Sequence, residues 1–242
     1  ANTDIRLPSG NLTIRATSGD LTIGGNLYAG GASKTFNTQT RFSDAGSITL
    51  EAANGDVTLT DTSVLSVAAL SGGGNAGTLS VVTPNGRFTA GGALHGQAAN
   101  GFNSGSFHLD TSSLPGSGAG SLASINGDLD AGGFNQSRGF RVRSGDVLVD
   151  HDIRSHAVSI SADSGNLTVT GRINAAGKTG GSISLAAHGN LTIASGAELL
   201  VTASSFNSAG KGGSIVLEAG TQRDGVAYSG ALLDLQSGAR ID

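Results

Sequence analysis

Residues 181–203 read GSISLAAHGNLTIASGAELLVTA and divide into three short segments, in the first two of which apolar and polar residues alternate. Alternation with a period of two is typical of a strand that buries one face. Turn residues separate the segments, at 188–190 and again at 195–196. The stretch therefore predicts one repeat of three strands, over residues 181–187, 191–193 and 199–203.

The opening segment of this stretch recurs along the chain. Its pattern, Gly-Ser before a triplet whose first and third residues are apolar, begins at Gly46, Gly105, Gly181 and Gly213, with a near copy at Gly77. A second pattern, Gly-Asn or Gly-Asp before such a triplet, begins at Gly10, Gly19, Gly55, Gly145, Gly165 and Gly189. Self-similarity of this kind is the signature of stacked repeats, each of which buries its apolar face against the next. The sequence therefore predicts an all-β solenoid, a parallel β-helix of about eight or nine three-strand coils with loop insertions.

The repeat also predicts which side chains lie next to one another in stacked coils. We expect one column of inward residues in the first strand, formed by Ile48, Leu79, Phe107, Ile183 and Ile215. An Asn or Asp after glycine can hydrogen-bond nearby backbone, and stacking is expected to place at one edge Asn11, Asp56, Asp146, Asn166 and Asn190. The remaining segments are predicted to be insertions, chiefly residues 30–45, 95–104, 112–120, 133–139 and 203–212.

The composition limits the classes of partner and of site. The chain has 242 residues, with 40 Gly, no Cys, Met or Trp, and a net charge of −4. Binding to nucleic acid or to an anionic membrane calls for a basic face, so we expect neither partner. The sequence has no run of apolar residues long enough for a membrane span, so we expect no membrane insertion. Because Cys is absent, disulfides and thiolate metal sites are excluded, and we expect no metal and no cofactor.

The most polar cluster of the sequence is Asp150-His151-Asp152, with Arg154 and His156 close by. Its carboxylate oxygens could bind a divalent cation, or act as acid and base on a sugar. The alternative is a solvated turn between two strands. We favour the turn, because a short motif by itself is weak evidence for a site.

A Phe-Asn dipeptide recurs in the predicted insertions and uses four of the 8 Phe in the chain. Its aromatic residues are Phe36, Phe102, Phe134 and Phe206. One interpretation is structural: each ring folds back over the coil while the Asn caps a turn. The other is functional: an exposed aromatic row could stack on sugar rings. We favour the structural interpretation, and the candidate ligand contacts are these four Phe and the 150–152 cluster.

The repeat patterns, Gly-Ser-Ile-x-Leu-x-Ala at 181–187 and Gly-Asn-Leu-Thr-Ile at 189–193, lie in a cysteine-free chain rich in Gly, Ser, Thr and Asn. In this the chain resembles the repeat regions of filamentous haemagglutinin-like exoproteins, the large adhesins that Gram-negative bacteria export by two-partner secretion. The resemblance covers nearly the whole chain and is weakest over residues 112–139. It implies a right-handed parallel β-helix, outside the cell or on its outer surface, with a role in adhesion, haemagglutination or biofilm formation. It also implies an outer-membrane secretion partner for the full-length protein. The family's amino-terminal secretion signature is not evident, so we expect a downstream rod segment.

Three functions fit these observations. The first is a non-enzymatic adhesive rod, a single segment over residues 1–242, that contacts host-cell or matrix glycans such as exopolysaccharide through its insertions. The second is a carbohydrate-active β-helix enzyme, a polysaccharide lyase or hydrolase, which needs outward carboxylates converging in a groove. Asp and Glu total only 18 and many follow a turn glycine, so we expect no enzyme. The third is an inert spacer presenting a toxin or a receptor-binding tip carried elsewhere.

Overall fold

The structure is a computed structural model that describes residues 3–115, 118–205, 212–221 and 229–242. Strands make up 47% of the described residues, which contain one helix, α1 (Ala123–Gly132). The strands are β1 (Asp4–Arg6), β2 (Asn11–Ala16), β3 (Leu21–Ile23), β4 (Asn26–Tyr28), β5 (Ser33–Phe36), β6 (Gln39–Phe42), β7 (Ser47–Ala52), β8 (Val57–Leu59), β9 (Val64–Ser66), β10 (Thr78–Thr83), β11 (Phe88–Ala90), β12 (Ala93–His95), β13 (Ser106–Thr111), β14 (Gly120–Ser121), β15 (Ser137–Val142), β16 (Val147–Val149), β17 (Ile153–Arg154), β18 (Ala157–Ala162), β19 (Leu167–Val169), β20 (Arg172–Asn174), β21 (Ser182–Ala187), β22 (Leu191–Ile193), β23 (Glu198–Leu200), β24 (Ser214–Ala219), β25 (Leu233–Leu235) and β26 (Arg240–Ile241). Among the described residues, no helix has the length and apolarity that crossing a bilayer requires.

Contacts divide the chain into two compact units. Unit 1 comprises Ala1–Thr111 and Gly127–Ser137, and unit 2 comprises Ser112–Asn126 and Arg138–Asp242. In unit 1 three sets of strands pair in parallel, and successive members of a set come from successive repeats. The sets are β2-β7-β10-β13, β3-β8-β11 and β1-β4-β9-β12.

Unit 2 is built in the same way. Its long strands β18, β21 and β24 pair in parallel, and each belongs to a different repeat. The shorter strands form two further parallel sets, β14-β16-β19-β22-β25 and β17-β20-β23-β26. Both units therefore have the nearly all-β, parallel, solenoid-like organisation that the repeat predicts.

The register of the long strands confirms the inward positions within each unit. In unit 1, Ile48 pairs with Leu79, and Leu79 pairs with Phe107. In unit 2, Ile183 pairs with Ile215. The side chains of Ile48, Leu79, Phe107 and Ile183 are buried. Apolar side chains at equivalent positions of successive strands therefore cover one another within each unit. Burial of such apolar area, at roughly 25 cal/mol per Å², is the main term that holds the strands together.

A ladder of hydrogen bonds links the turns that follow the repeat glycines, and we call it the Asx ladder. In unit 1, the Asp56 N–H donates to Asp20 Oδ1 at 2.8 Å. In unit 2, the Asn166 N–H donates to Asp146 Oδ1 at 2.8 Å, and the Asn190 N–H donates to Asn166 Oδ1 at 2.8 Å. The predicted edge is therefore present in each unit, with the side-chain oxygen of one turn bound to the backbone of the next.

The prediction for Asn11 is wrong. β2 pairs with β7, so Leu12 lies opposite Ile48, and Asn11 Oδ1 accepts a hydrogen bond from Ser47 Oγ at 2.9 Å. The five-residue motif at Gly10 matches the second pattern, but alternation continues after it to Ala16. Six alternating residues match the long strands, whereas the second strands are three residues long, and length decides the pairing.

Two predicted insertions contain regular structure instead of loop. Residues 30–45 contain the antiparallel hairpin β5–β6, and residues 133–139 contain the start of β15. The alternation of β15 is hidden in the sequence because Arg138 occupies an inward position and is only 1% exposed. Its Nη1 donates to Asn126 Oδ1 of α1 at 2.9 Å, and such a partner is what a buried guanidinium requires.

Candidate functional site

The polar turn, residues 150–152, connects β16 to β17 in unit 2. Asp150 Oδ1 accepts a hydrogen bond from Ser121 Oγ at 2.9 Å and lies 3.1 Å from His151 Nδ1. The hydrogen bond with His151, together with that from Ser121, holds the pKa of the Asp150 carboxyl below its usual range. Asp152 lies apart from this group, with its Oδ2 3.5 Å from Arg154 Nη2 on the exposed surface.

This arrangement is poorly suited to acid–base or nucleophilic chemistry. A general acid needs a pKa raised towards the working pH, and that of Asp150 is lowered. The group that accepts the Ser121 hydrogen bond is the Asp150 carboxylate, and its lowered pKa makes it a weak base for activating that hydroxyl. Ser121 Oγ also accepts from the Ala123 N–H at 3.0 Å. The Asp150 carboxylate therefore holds the turn to the beginning of α1.

Metal binding at the polar turn has little geometric support. The described residues contain no group of three or more His, Asp or Glu side chains placed to hold a metal ion. His151 Nε2 is buried and has no hydrogen-bond partner among the described residues. The backbone of His151 lies against Gly171. His156 is also part of the predicted cluster. Its backbone oxygen accepts a hydrogen bond from the Ser182 N–H at 2.9 Å.

The Phe residues of the recurring dipeptide occupy different environments. Phe36 lies on the hairpin, 57% exposed, with Lys34 Nζ 5.4 Å from the centre of its ring. Phe102 is 47% exposed, whereas Phe134 is fully buried. The Phe134 ring packs edge-to-face against Phe107, with 6.3 Å between centroids. Phe206 lies outside the described residues.

One exposed aromatic side chain was not predicted as a contact. Phe42, at the end of β6, is 39% exposed and its ring packs on Gly72. A Cβ built on Gly73 would lie 3.3 Å from Phe102 Cζ and 3.5 Å from Phe42 Cδ2. Both rings therefore lie against one glycine turn, and we call this arrangement the aromatic shelf. Phe42 precedes Ser rather than Asn, so the dipeptide signal missed it.

A groove of about 580 Å³ in unit 1 begins at the shelf. Phe102 lines it, with the polar side chains of Ser71, Gln97 and Asn100 and with Gly72; the rest of its lining is three alanines, Ala69, Ala98 and Ala99. The lining residues lie in two segments, 69–72 and 97–102. A hydrogen bond from the Ala69 N–H to the Gln97 backbone oxygen, at 2.9 Å, joins these segments.

No family model, curated protein or solved structure matches this chain.

Proposed function

We propose that this chain is a segment of a secreted or surface-attached adhesive rod of a Gram-negative bacterium, which attaches cells to host or matrix glycans such as exopolysaccharide. In this proposal the segment is a right-handed parallel β-helix of about eight or nine three-strand coils, and it has no catalytic site. The full-length protein reaches the outer surface through an outer-membrane secretion partner. The resemblance to filamentous haemagglutinin-like exoproteins motivates these assignments.

The parallel strand sets support the scaffold part of this proposal. In each unit the long strand, the second strand and the third strand recur in the same order along the chain. Each pairs in register with its counterpart in the neighbouring repeat, as in β19 with β22 or β8 with β11. Repeats of this kind make a rigid support on which insertions can present binding side chains.

One observation carries the adhesive part: among the described residues, three of the four aromatic side chains in the predicted insertions are exposed. Phe36, Phe42 and Phe102 are each more than a third exposed, whereas Phe107 and Phe140 of the long strands are buried. Exposed aromatic rings cost hydrophobic free energy in a protein with no partner, and they commonly mark a binding surface.

A glycan array probed with the full 242-residue chain tests this function. The proposal expects binding to a restricted set of polysaccharides and binding of the purified chain to cells that display them. Affinity per site should be weak, with avidity gained in the full-length protein by linking many sites. An array and a cell assay that are both negative at high protein concentration would favour the inert spacer.

A carbohydrate-active enzyme is the alternative of a different class, and the polar turn is where it would be sought. Cleavage of a polysaccharide by the chain, lost in Asp150→Asn or Asp152→Asn, would establish the enzyme and overturn the proposal. Elemental analysis of protein purified without chelator tests the cation alternative. Calcium at one equivalent, lost in the same variants, would show that the turn is a metal site.

A further inference from the structure

We infer that the groove beside the aromatic shelf binds the neutral sugar units of a polysaccharide, with a pyranose ring stacked on the exposed face of Phe102. This inference deepens the proposed function and depends on it for its biological meaning. It is carried by three properties of the groove: its exposed ring, its lack of charge and its unpaired polar side chains.

The ring is held ready for stacking before any ligand arrives. Gly73 has φ 148° and Gly74 has φ 92°, in the region that favours glycine. A side chain at Gly72 would overlap the Phe42 ring, so the glycine turn lets both rings approach it closely. The Phe102 N–H donates to the Ala99 oxygen at 3.1 Å, which holds the backbone beneath the ring. A site ordered in advance loses less conformational entropy on binding.

The groove selects against charged ligands. None of the side chains lining it is charged, so a carboxylate or ammonium entering it would lose water without gaining a counter-ion. The cations of this region lie instead on the hairpin, where Lys34 and Arg41 are directly opposite each other. Neither of these two side chains has an ion pair among the described residues. An anionic glycan would therefore be drawn to the hairpin, away from the groove.

The polar side chains of the groove match a ligand rich in hydroxyl groups. Within the described residues, the Ser71 hydroxyl and the Asn100 amide have no protein partner. Gln97 Nε2 lies 3.5 Å from the Ala131 oxygen, a contact at the limit of a hydrogen bond. A sugar ring offers an apolar C–H face to an aromatic ring and hydroxyl groups around its edge. A purely apolar ligand would leave these polar groups without partners when it displaced their water.

The test is a titration of the full chain, labelled with ¹⁵N, followed by NMR. The probes are cellotetraose, maltotetraose and mannotetraose as neutral saccharides, and tetragalacturonate as the anionic one. At least one neutral tetrasaccharide is expected to shift the amide signals of Ser71, Gly72, Gly73, Asn100 and Phe102. Phe102→Ala should weaken that binding about five- to tenfold, as expected for loss of one stacked ring.

The matched control is Val216→Ala, which removes an apolar side chain that is 46% exposed, does not line the groove, and should leave binding of the neutral saccharide unchanged. A second variant, Asn100→Ala, tests the polar side of the groove and should weaken binding severalfold. Unchanged thermal unfolding of all three variants excludes loss of fold as the cause. The inference is overturned if no neutral saccharide shifts the groove amides, or if Phe102→Ala and Val216→Ala weaken binding equally.

These outcomes are separable from those of the proposed function. Cell and array binding that persists in Phe102→Ala would leave the adhesive function standing and remove the groove as its site. Shifts at the groove in a chain that binds no cell would keep the groove as a sugar site and remove the adhesive role. Tetragalacturonate that shifts the groove amides more than every neutral probe would overturn the assignment of a neutral ligand.

Discussion

Phe134 and Phe102 begin the same Phe-Asn dipeptide in unit 1, yet one ring is fully buried and the other is half-exposed. The Phe134 ring lies in a socket whose walls are glycines from separate segments. A Cβ on Gly96 would lie 2.9 Å from Phe134 Cε1, and one on Gly105 2.9 Å from Cδ1. The Phe102 ring rests on the glycine turn and is 47% exposed.

In this pair, the ring with glycines on several sides is the buried one, and the ring with glycines on one turn is the exposed one. Because Gly has no Cβ, it leaves room for a ring to approach the backbone. Glycines on several sides make a socket that the ring fills as part of the core. Glycines on one side make a shelf that supports the ring and leaves its other face to solvent. The Phe-Asn dipeptide by itself does not predict whether its ring is buried or exposed.

The largest loss of stability is expected when a charge is placed among the inward side chains of the long strands. That loss is the reference for the smaller losses expected at the Phe134 socket. Ile183→Asp would bury a carboxylate without a partner, and we expect a loss of about 5 kcal/mol or more in the free energy of unfolding. The control is Ser184→Asp, at the exposed neighbouring position, which should change it little. Chemical denaturation measures both, and equal stability of the two variants would show that the register is not the one described.

Removal of the socket ring should have the next largest effect. Phe134→Ala would leave a cavity and lose the edge-to-face contact with Phe107, at a cost of about 3–5 kcal/mol. Phe36→Ala, which empties no cavity, should cost less than about 1 kcal/mol. If urea unfolding gives similar midpoints for both variants, the buried Phe134 ring contributes no more to the free energy of unfolding than the exposed Phe36 ring.

Filling the socket from its wall should cost less than emptying it. The added methyl of Gly105→Ala would meet the Phe134 ring and the Gly96 backbone, and overpacking of this kind costs about 1–3 kcal/mol. Gly118→Ala is the control, because a Cβ there meets nothing within 4 Å. Thermal unfolding compares the two, and a Gly105→Ala protein as stable as the control would mean that the socket has room to spare.

The shelf should show the smallest effect on stability. Phe42→Ala and Phe102→Ala remove rings that are already partly in water, so each should lower the free energy of unfolding by less than about 1 kcal/mol. The same denaturation assay measures this loss. A loss from Phe102→Ala as large as that from Phe134→Ala would make the shelf a part of the core and would remove the reason to regard it as a binding surface.

Much of the fold could be predicted because strand alternation and turn glycines are local signals. The segments at 182–187 and 191–193 are strands where the alternation places them. β15 could not be predicted in the same way, because Arg138 occupies an apolar position and its partner, Asn126, lies in a helix that no repeat signals. The motif at Gly10 misled because its five residues suit either strand type.

The candidate site could be predicted only in part, since exposure depends on residues far away in sequence. The dipeptide identified Phe102 and Phe36 as possible contacts, and both are exposed. It also identified Phe134, whose ring lies against Gly96 and Gly105, 38 and 29 residues earlier in the chain. Phe42 carries no Asn after it, and only its contact with Gly72 relates it to the groove.

The Asx ladder has a direction, because each side-chain oxygen accepts from a backbone N–H that comes later in the chain. Asp20 Oδ1 accepts from the Asp56 N–H, Asp146 Oδ1 from the Asn166 N–H, and Asn166 Oδ1 from the Asn190 N–H. A turn therefore finds its acceptor already in place when the chain is ordered from its amino terminus onward. The ladder is therefore polar: a turn at one end of it offers a side-chain oxygen to a further turn, whereas a turn at the other end offers a backbone N–H.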